Sequence, residues 1–198
     1  MIPVTMQPEP PDFDTKVRQE GQKFLQKNPS PQKRAEWKNY ECWTDALPNL
    51  RRAYNNICAY CAQWVSKPTG TPTVDHYIPI AARPDLAYEW SNYRLACLLM
   101  NSYKREHQDV LDPFNIKANW FIIDFSSYMV LPGENLTASE KTQVTATIAR
   151  LKLNDDEACL SSRKAWIDEY TTGEISFSHL EKKAPFIAYE LKRQGLVP

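Results

Sequence analysis

The sequence carries no surplus of charge: 24 lysines and arginines stand against 24 aspartates and glutamates, a formal net charge of zero. A chain without an overall excess of cations lacks the global signature of a nucleic-acid binder, so any grip on a polyanion has to come from a local patch or a partner. Long apolar runs are missing as well. No stretch approaches the length of a membrane span, and no early cationic-then-apolar segment resembles a signal peptide, so the cytoplasm is the expected location. Cysteine is scarce and odd in number, five residues without a regular framework, which points to reduced thiols rather than disulfides. Histidine is rarer still, at three. There are no internal repeats. The one biased segment is the start, where Pro3, Pro8, Pro10 and Pro11 forbid a helix and predict an extended tail on the surface or on a partner.

What is present suffices for a packed interior: 198 residues, 42% of them apolar and 24% charged, are ordinary values for one globular domain or a small core with additions. Asp12 or Asp14 caps an expected helix to about Lys27, with Phe13, Val17, Phe24 and Leu25 on one face, broken by Asn28-Pro29-Ser30-Pro31. A second helical stretch carries Trp37, Tyr40 and Trp43, and a third carries Leu47, Leu50, Tyr54 and Ile57. Their helical period favours core packing over stacking on bases. A turn over Lys67 to Pro72 then separates Gln63–Val65 from Thr73, Val74, His76 and Ile78. That pattern predicts a β-hairpin whose second strand carries Asp75-His76. Residues 81–90 read as loop, and Tyr93 to about His107 as a helix with Leu95, Leu98 and Leu99 on its buried side.

The remainder reads as scaffold. Trp120–Phe125 and Tyr128–Leu131 predict a second hairpin around Ser126-Ser127. Thr137 with Glu140 forms a capping box before a helix bearing Val144, Ile148 and Leu151. Asn154 or Asp155 caps the next, with Leu160, Trp166, Ile167 and Tyr170. Ser178 with Glu181 offers another box, Pro185 interrupts or restarts the last helix, and Gly195 stops it. The class is α+β, in three consecutive blocks of one compact unit: 1–54, 55–112 and 113–198.

Chemistry concentrates in residues 74–104. Phosphodiester cleavage needs a water, a base to activate it, and positive charge for the phosphorane and the leaving oxygen. Neutral His76 suits the base, and the Asp75 carboxylate suits Mg²⁺, which prefers oxygen ligands. Neighbouring strand residues point to opposite faces, so base and ligand can lie close without competing. Asn101, with Lys104 at i+3, can complete a carboxylate and amide metal site and reach phosphate. Asn92 can cap backbone groups and fix the loop behind His76; as isolated residues, both asparagines read equally as caps or surface groups. Arg94, Lys104 and Arg105 flank the site as candidate phosphate contacts, with solvated surface the alternative. His107 reads as a complement to a helix dipole, with a phosphate contact the alternative, and His179 lies far from any motif.

These residues carry a resemblance. Cys58-x-x-Cys61, Val74-Asp75-His76-x-x-Pro79, Ser91-Asn92-Tyr93-x-Leu95-x-Cys97 and Asn101-x-x-Lys104 resemble an HNH endonuclease in its His-Asn-Asn variant, over about residues 55–112. The resemblance implies a ββα-metal core embraced by N- and C-terminal helices and the extra hairpin. It implies His76 as general base, Asn92 as orienting residue, and Asp75 with Asn101 as ligands of one Mg²⁺ or Mn²⁺. More narrowly, Cys58-Ala-Tyr-Cys61, Leu86-Ala-Tyr-Glu-Trp90, Cys97–Ser102 and Val110–Pro113 resemble the PtuB family, the HNH components of Septu-type and retron-associated anti-phage systems. That likeness implies an ATPase partner (PtuA-like), in retron versions a reverse transcriptase with its RNA–DNA product, and flanking regions that serve as docking surfaces. DNA is the family's usual substrate, and water attack leaves RNA, including tRNA, chemically open. Many such proteins hold structural Zn²⁺ with two Cys-x-x-Cys pairs, but here Met100 stands in the fourth place and a thioether is a poor zinc ligand. Cys58, Cys61 and Cys97 therefore read as packing residues, with structural zinc the alternative. Two rivals are a non-catalytic scaffold of HNH-like fold and a zinc-binding adaptor.

Overall fold

The computed structural model describes residues 1–29, 31, 34–67, 70–155 and 157–197. The turn expected over Lys67 to Pro72 includes Pro68 and Thr69, and the expected break after the first helix includes Ser30; these three lie outside the described residues. The fold is mixed, with helices and two small antiparallel sheets. Its two compact units do not follow the blocks 1–54, 55–112 and 113–198: one comprises Thr5–Cys58 and Val65–Gln108, the other Met1–Val4, Ala59–Trp64 and Asp109–Pro198. Among the described residues no helix is long and apolar enough to cross a membrane.

The first unit opens with a proline-rich strap that is fastened rather than loose. The Gln7 N–H donates to the Tyr54 hydroxyl at 3.1 Å, and Trp90 Nε1 donates to the Gln7 carbonyl at 2.8 Å. Arg18 gathers the carboxylates of Glu9, Asp14 and Glu89. A π-helical turn, Asp14–Arg18, leads into α1, Gln19–Lys27. Phe13, Val17 and Phe24 are buried on one face, as their spacing demands. Gly21 shares that face for a steric reason: a Cβ there would lie 2.1 Å from Cγ of Tyr88. Trp37 and Trp43 sit on short 3-10 turns, Arg34–Trp37 and Cys42–Ala46, not on a continuous helix, and α2 follows as Leu47–Ala53. Both tryptophans pack in the core with Phe13, Phe24, Tyr88, Trp90 and Tyr93.

Strand β1, Pro72–His76, does not pair with Gln63–Val65. Its partner is β2, Tyr93–Cys97, in antiparallel register from Pro72↔Cys97 to His76↔Tyr93. Helix α3, Leu98–Lys104, follows without a linker. The order is thus strand, loop, strand, helix, which corrects both the expected hairpin and the helix expected from Tyr93. Leu95, Leu98 and Leu99 have helical spacing but no common face. Leu95 is buried from a strand, whereas Leu98 and Leu99 are 53% and 37% exposed on α3.

In the second unit β3, Phe121–Asp124, and β4, Met129–Pro132, form the expected hairpin. The Asp124 carboxylate accepts from the Ser126 N–H and from both serine hydroxyls of the turn. Helix α4, Ala138–Arg150, starts at the reciprocal Thr137 and Glu140 capping box. Asn154 does not cap α5, Glu157–Thr171; its amide is spent on β4, accepting from the Val130 N–H at 2.8 Å and donating to its carbonyl at 2.7 Å. Helix α6, Phe177–Lys183, is capped by Ser176 rather than Ser178, because the Ser176 hydroxyl is the one placed to accept from the His179 N–H. Pro185 starts α7, Pro185–Arg193, and Gly195 ends the helical run at a φ of +68°.

Candidate functional site

Strand β1 deals its side chains to two sides in turn. Thr73 and Asp75 face α3: Asn101 Nδ2 donates to the Thr73 hydroxyl at 3.0 Å, and Lys104 Nζ lies 3.2 Å from Asp75 Oδ1. Asn101 and Lys104 meet that side together because they are three residues apart on one helix. Val74 and His76 face the aromatic core. The imidazole is held edge-on by Trp43, with centroids 4.9 Å apart, and by Tyr93, at 5.2 Å.

His76 Nε2 lies 2.8 Å from the Ala87 carbonyl oxygen. A carbonyl can only accept, so Nε2 carries the proton and the neutral ring keeps its lone pair on Nδ1. Burial pushes the His76 pKa below its ordinary 6.5; the Ala87 bond and the Asp75 charge oppose that shift, and the nearby Lys104 charge adds to it. The imidazole is therefore neutral at neutral pH, with one defined basic atom. Ala87 O also accepts from the Tyr93 hydroxyl at 2.8 Å. Burial raises the Tyr93 phenol far above its usual range, which keeps it a donor.

The loop that supplies Ala87 is closed by Asn92, whose side chain is buried. Its Oδ1 accepts from the Ile78 N–H at 2.8 Å, while Nδ2 donates to the carbonyls of Ile78 at 3.0 Å and Leu86 at 3.2 Å. Its own carbonyl accepts from the Tyr77 N–H at 2.9 Å. One asparagine thus ties the start of the loop to its middle, and so positions the acceptor of His76.

The three candidate phosphate contacts separate in the structure. Lys104 is 0% exposed; besides Asp75, its Nζ donates to the His76 carbonyl at 2.9 Å and lies 5.7 Å from the Tyr77 ring centroid. Arg94, opposite Asp75 on β2, is also buried, donating to the carbonyls of Ser91 and Tyr93 at 2.8 and 2.9 Å. Arg105 is exposed at a φ of +47°, and with Leu98, Asn101, Ser102, Glu106 and His107 it lines an open groove of about 770 Å³. Asn101 is the residue common to the groove and to the interior side of β1.

Asp75 and Asn101 offer oxygen donors of the kind a hard divalent cation takes. Asn101 spends Nδ2 on Thr73, and no hydrogen bond from the described residues reaches its Oδ1. A softer set lies apart from those oxygens: the sulfurs of Cys58, Cys61 and Cys97 are all within 4.8 Å of one another and could hold a metal ion, with the Cys97 N–H 3.4 Å from Cys58 Sγ. No disulfide joins any of the five cysteines.

Ala87, Trp43 and Thr73 escape sequence reasoning. Ala87 acts through its carbonyl, which no residue type advertises, and Thr73 becomes visible only once its strand is known to pack on α3. Tyr93 was within reach, because a strand ending at His76 and paired at the Asn92 end of the loop puts that ring opposite the imidazole. A scan against protein-family models gives no match to this chain, and a search of curated proteins gives none.

Proposed function

We propose that this chain is a metal-dependent HNH endonuclease that hydrolyses phosphodiester bonds of nucleic acid, DNA or RNA. The observation that carries the reading is the hydrogen bond from His76 Nε2 to the Ala87 carbonyl, which leaves Nδ1 basic on the strand that also bears Asp75. The order β1, β2, α3 supports it further by bringing Asn101 to the Asp75 side of the strand.

In this mechanism Nδ1 of His76 takes a proton from water as the oxygen attacks phosphorus, and the phosphorus–oxygen ester bond on the opposite side breaks. Asn92 keeps the loop closed and the Ala87 carbonyl in place, so the tautomer is fixed before substrate arrives. Asp75 and Asn101 Oδ1 would hold the divalent cation. That ion, when bound, supplies charge for the phosphorane and the departing oxygen. Arg105 offers the groove a cation for the phosphate backbone, beside Glu106 and His107, while Lys104 and Arg94 serve the interior. The setting we infer is a cytoplasmic anti-phage complex of the Septu or retron type, with this chain as toxic effector beside an ATPase subunit and, in a retron, a reverse transcriptase with its RNA–DNA product.

A second reading has one observation in its favour. Asp75 already faces a buried ammonium, as it would in a scaffold subunit where the pair is purely structural. Cleavage decides between the two. Plasmid DNA and total RNA are incubated with the protein in Mg²⁺, with and without the ATPase partner, using wild type, His76→Ala and His76→Gln. The expected result is cleavage by wild type and a loss of roughly 10²–10⁴-fold in variants whose circular dichroism is unchanged. No cleavage by wild type under any condition puts the scaffold first, and full activity in both variants denies His76 the role of base.

A further inference from the structure

The pairing of Lys104 with Asp75 raises a question that the nuclease reading leaves open. The carboxylate is 3% exposed and the ammonium 0%. Both are out of water, and each would be costly to leave alone there. Lys104 nevertheless reaches Asp75 as one of several contacts. Its Nζ makes the shorter bond to the His76 carbonyl, 2.9 Å against 3.2 Å, and has the Tyr77 ring face at 5.7 Å. An ammonium has three protons to place and sits on a flexible stem of four carbons. Lys104 can therefore release the carboxylate while keeping the carbonyl and the ring.

We propose that Lys104 is a charge placeholder: it compensates Asp75 in the metal-free chain, yields the carboxylate when a divalent cation arrives, and so weakens metal binding in the resting protein. The inference rests on the nuclease reading for the identity of Asp75 as a ligand. Its physical content is a competition. A cation at Asp75 displaces a cation already in place and then sits beside it, so metal affinity carries the loss of one attraction and the onset of one repulsion. In the metal-free state the same ammonium gives the buried carboxylate a counter-charge, which helps to fix Asp75 before metal enters. Lys104 is thus a positioning residue and a brake on metal loading, not a contact to substrate. The chain would be poorly loaded at low metal concentration until something that favours the metal, such as bound phosphate oxygens, tips the balance.

The test is metal binding by the full chain, read without any substrate. Mn²⁺ is titrated into wild type, Lys104→Met, Lys104→Arg and Asp75→Asn, and bound metal is followed by electron paramagnetic resonance and calorimetry. Removing the charge in Lys104→Met should tighten Mn²⁺ binding at least tenfold while lowering the melting temperature of the metal-free protein by several degrees. Lys104→Arg, which keeps the charge, should stay near wild type in affinity. To keep the test independent of the folding of Lys104→Met, ¹⁵N-lysine-labelled wild type is titrated with Mg²⁺ as well. The protected Lys104 ammonium resonance should then shift or vanish as the site fills. Equal affinity in Lys104→Met and wild type, or a Lys104 resonance untouched at Mg²⁺ saturation, overturns the placeholder while an Asp75→Asn loss of binding leaves the metal site standing. If instead Asp75→Asn changes nothing, or no variant takes up Mn²⁺, the nuclease reading itself loses its metal and the inference falls with it.

Discussion

Asn92 closes on both backbone polar groups of Ile78, accepting from its N–H at 2.8 Å and donating to its carbonyl at 3.0 Å. A third bond, to the Leu86 carbonyl, spans the loop that holds Ala87 against His76. Replacement by alanine leaves three backbone groups without their partner, each costing about 1–3 kcal/mol if water cannot reach it. We expect Asn92→Ala to destabilise the protein by about 2–4 kcal/mol in urea unfolding. Asn92→Asp keeps the acceptor, loses both donations and should be comparably harmful. A variant within 0.5 kcal/mol of wild type, the range of an ordinary surface change, would show that the loop closes without this residue.

His76 makes stability depend on acidity in a definite direction. Its folded pKa lies below the ordinary 6.5, so between those two values the unfolded chain binds the proton and the folded chain does not. Stability should therefore decline as pH falls through about 6.5 toward the folded pKa. His76→Gln removes this contribution, and melting curves from pH 8 to 5 should fall more steeply for wild type than for the variant. Parallel curves would deny the shift. Under the proposed nuclease mechanism the same sign would extend base catalysis to more acidic solution, with the acid limb of kcat/KM expected below pH 6.5.

Gly21 tests the packing that supports the site from behind. Alanine would gain up to about 1 kcal/mol of helix propensity in α1. Its Cβ would also meet the Tyr88 ring at 2.1 Å, and that ring is tethered through its hydroxyl to the Tyr40 carbonyl at 2.8 Å. Overpacking typically costs about 1–3 kcal/mol, more when the neighbour cannot retreat, so the clash wins. Gly21→Ala should lower the melting temperature; an increase would mean that α1 slides freely over Tyr88.

Glu190 is the corresponding lock in the other unit. It is fully buried on α7, yet accepts from the Ile123 N–H at 2.9 Å, from Gln194 at 3.1 Å and from Arg193 at 2.7 Å. Glu190→Ala strands a β3 donor and a neighbouring cation, with an expected cost of about 3 kcal/mol in denaturant unfolding. A loss below 1 kcal/mol would show that water or Arg193 repairs the gap.

How far the sequence could be read depended on where each signal lay. The second hairpin, the Thr137 box and the Pro185 start were legible because each is written in adjacent residues with one physical meaning. The pairing of β1 with β2 was not, since Leu95, Leu98 and Leu99 imitate a helix face while a strand-to-helix junction at Cys97 splits them. Asp75, His76, Asn92 and Asn101 could be nominated from their chemistry. What escaped was the company they keep: a carbonyl from Ala87, a hydroxyl from Thr73, and a lysine turned inward that side-chain type alone marks for the surface.

The division of the chain also has a consequence in time. The unit bearing His76 draws on residues no later than Gln108, whereas the other collects Met1–Val4, Ala59–Trp64 and everything from Asp109 onward. Synthesis runs from the N-terminus at about 5–20 residues per second, so the complete parts list of the first unit leaves the ribosome some seconds before that of the second. During that interval the segments 1–4 and 59–64 are already made but lack the residues they end up packed among. A nascent chain of this design holds its catalytic candidates ready while part of its early sequence still waits for its own last residues.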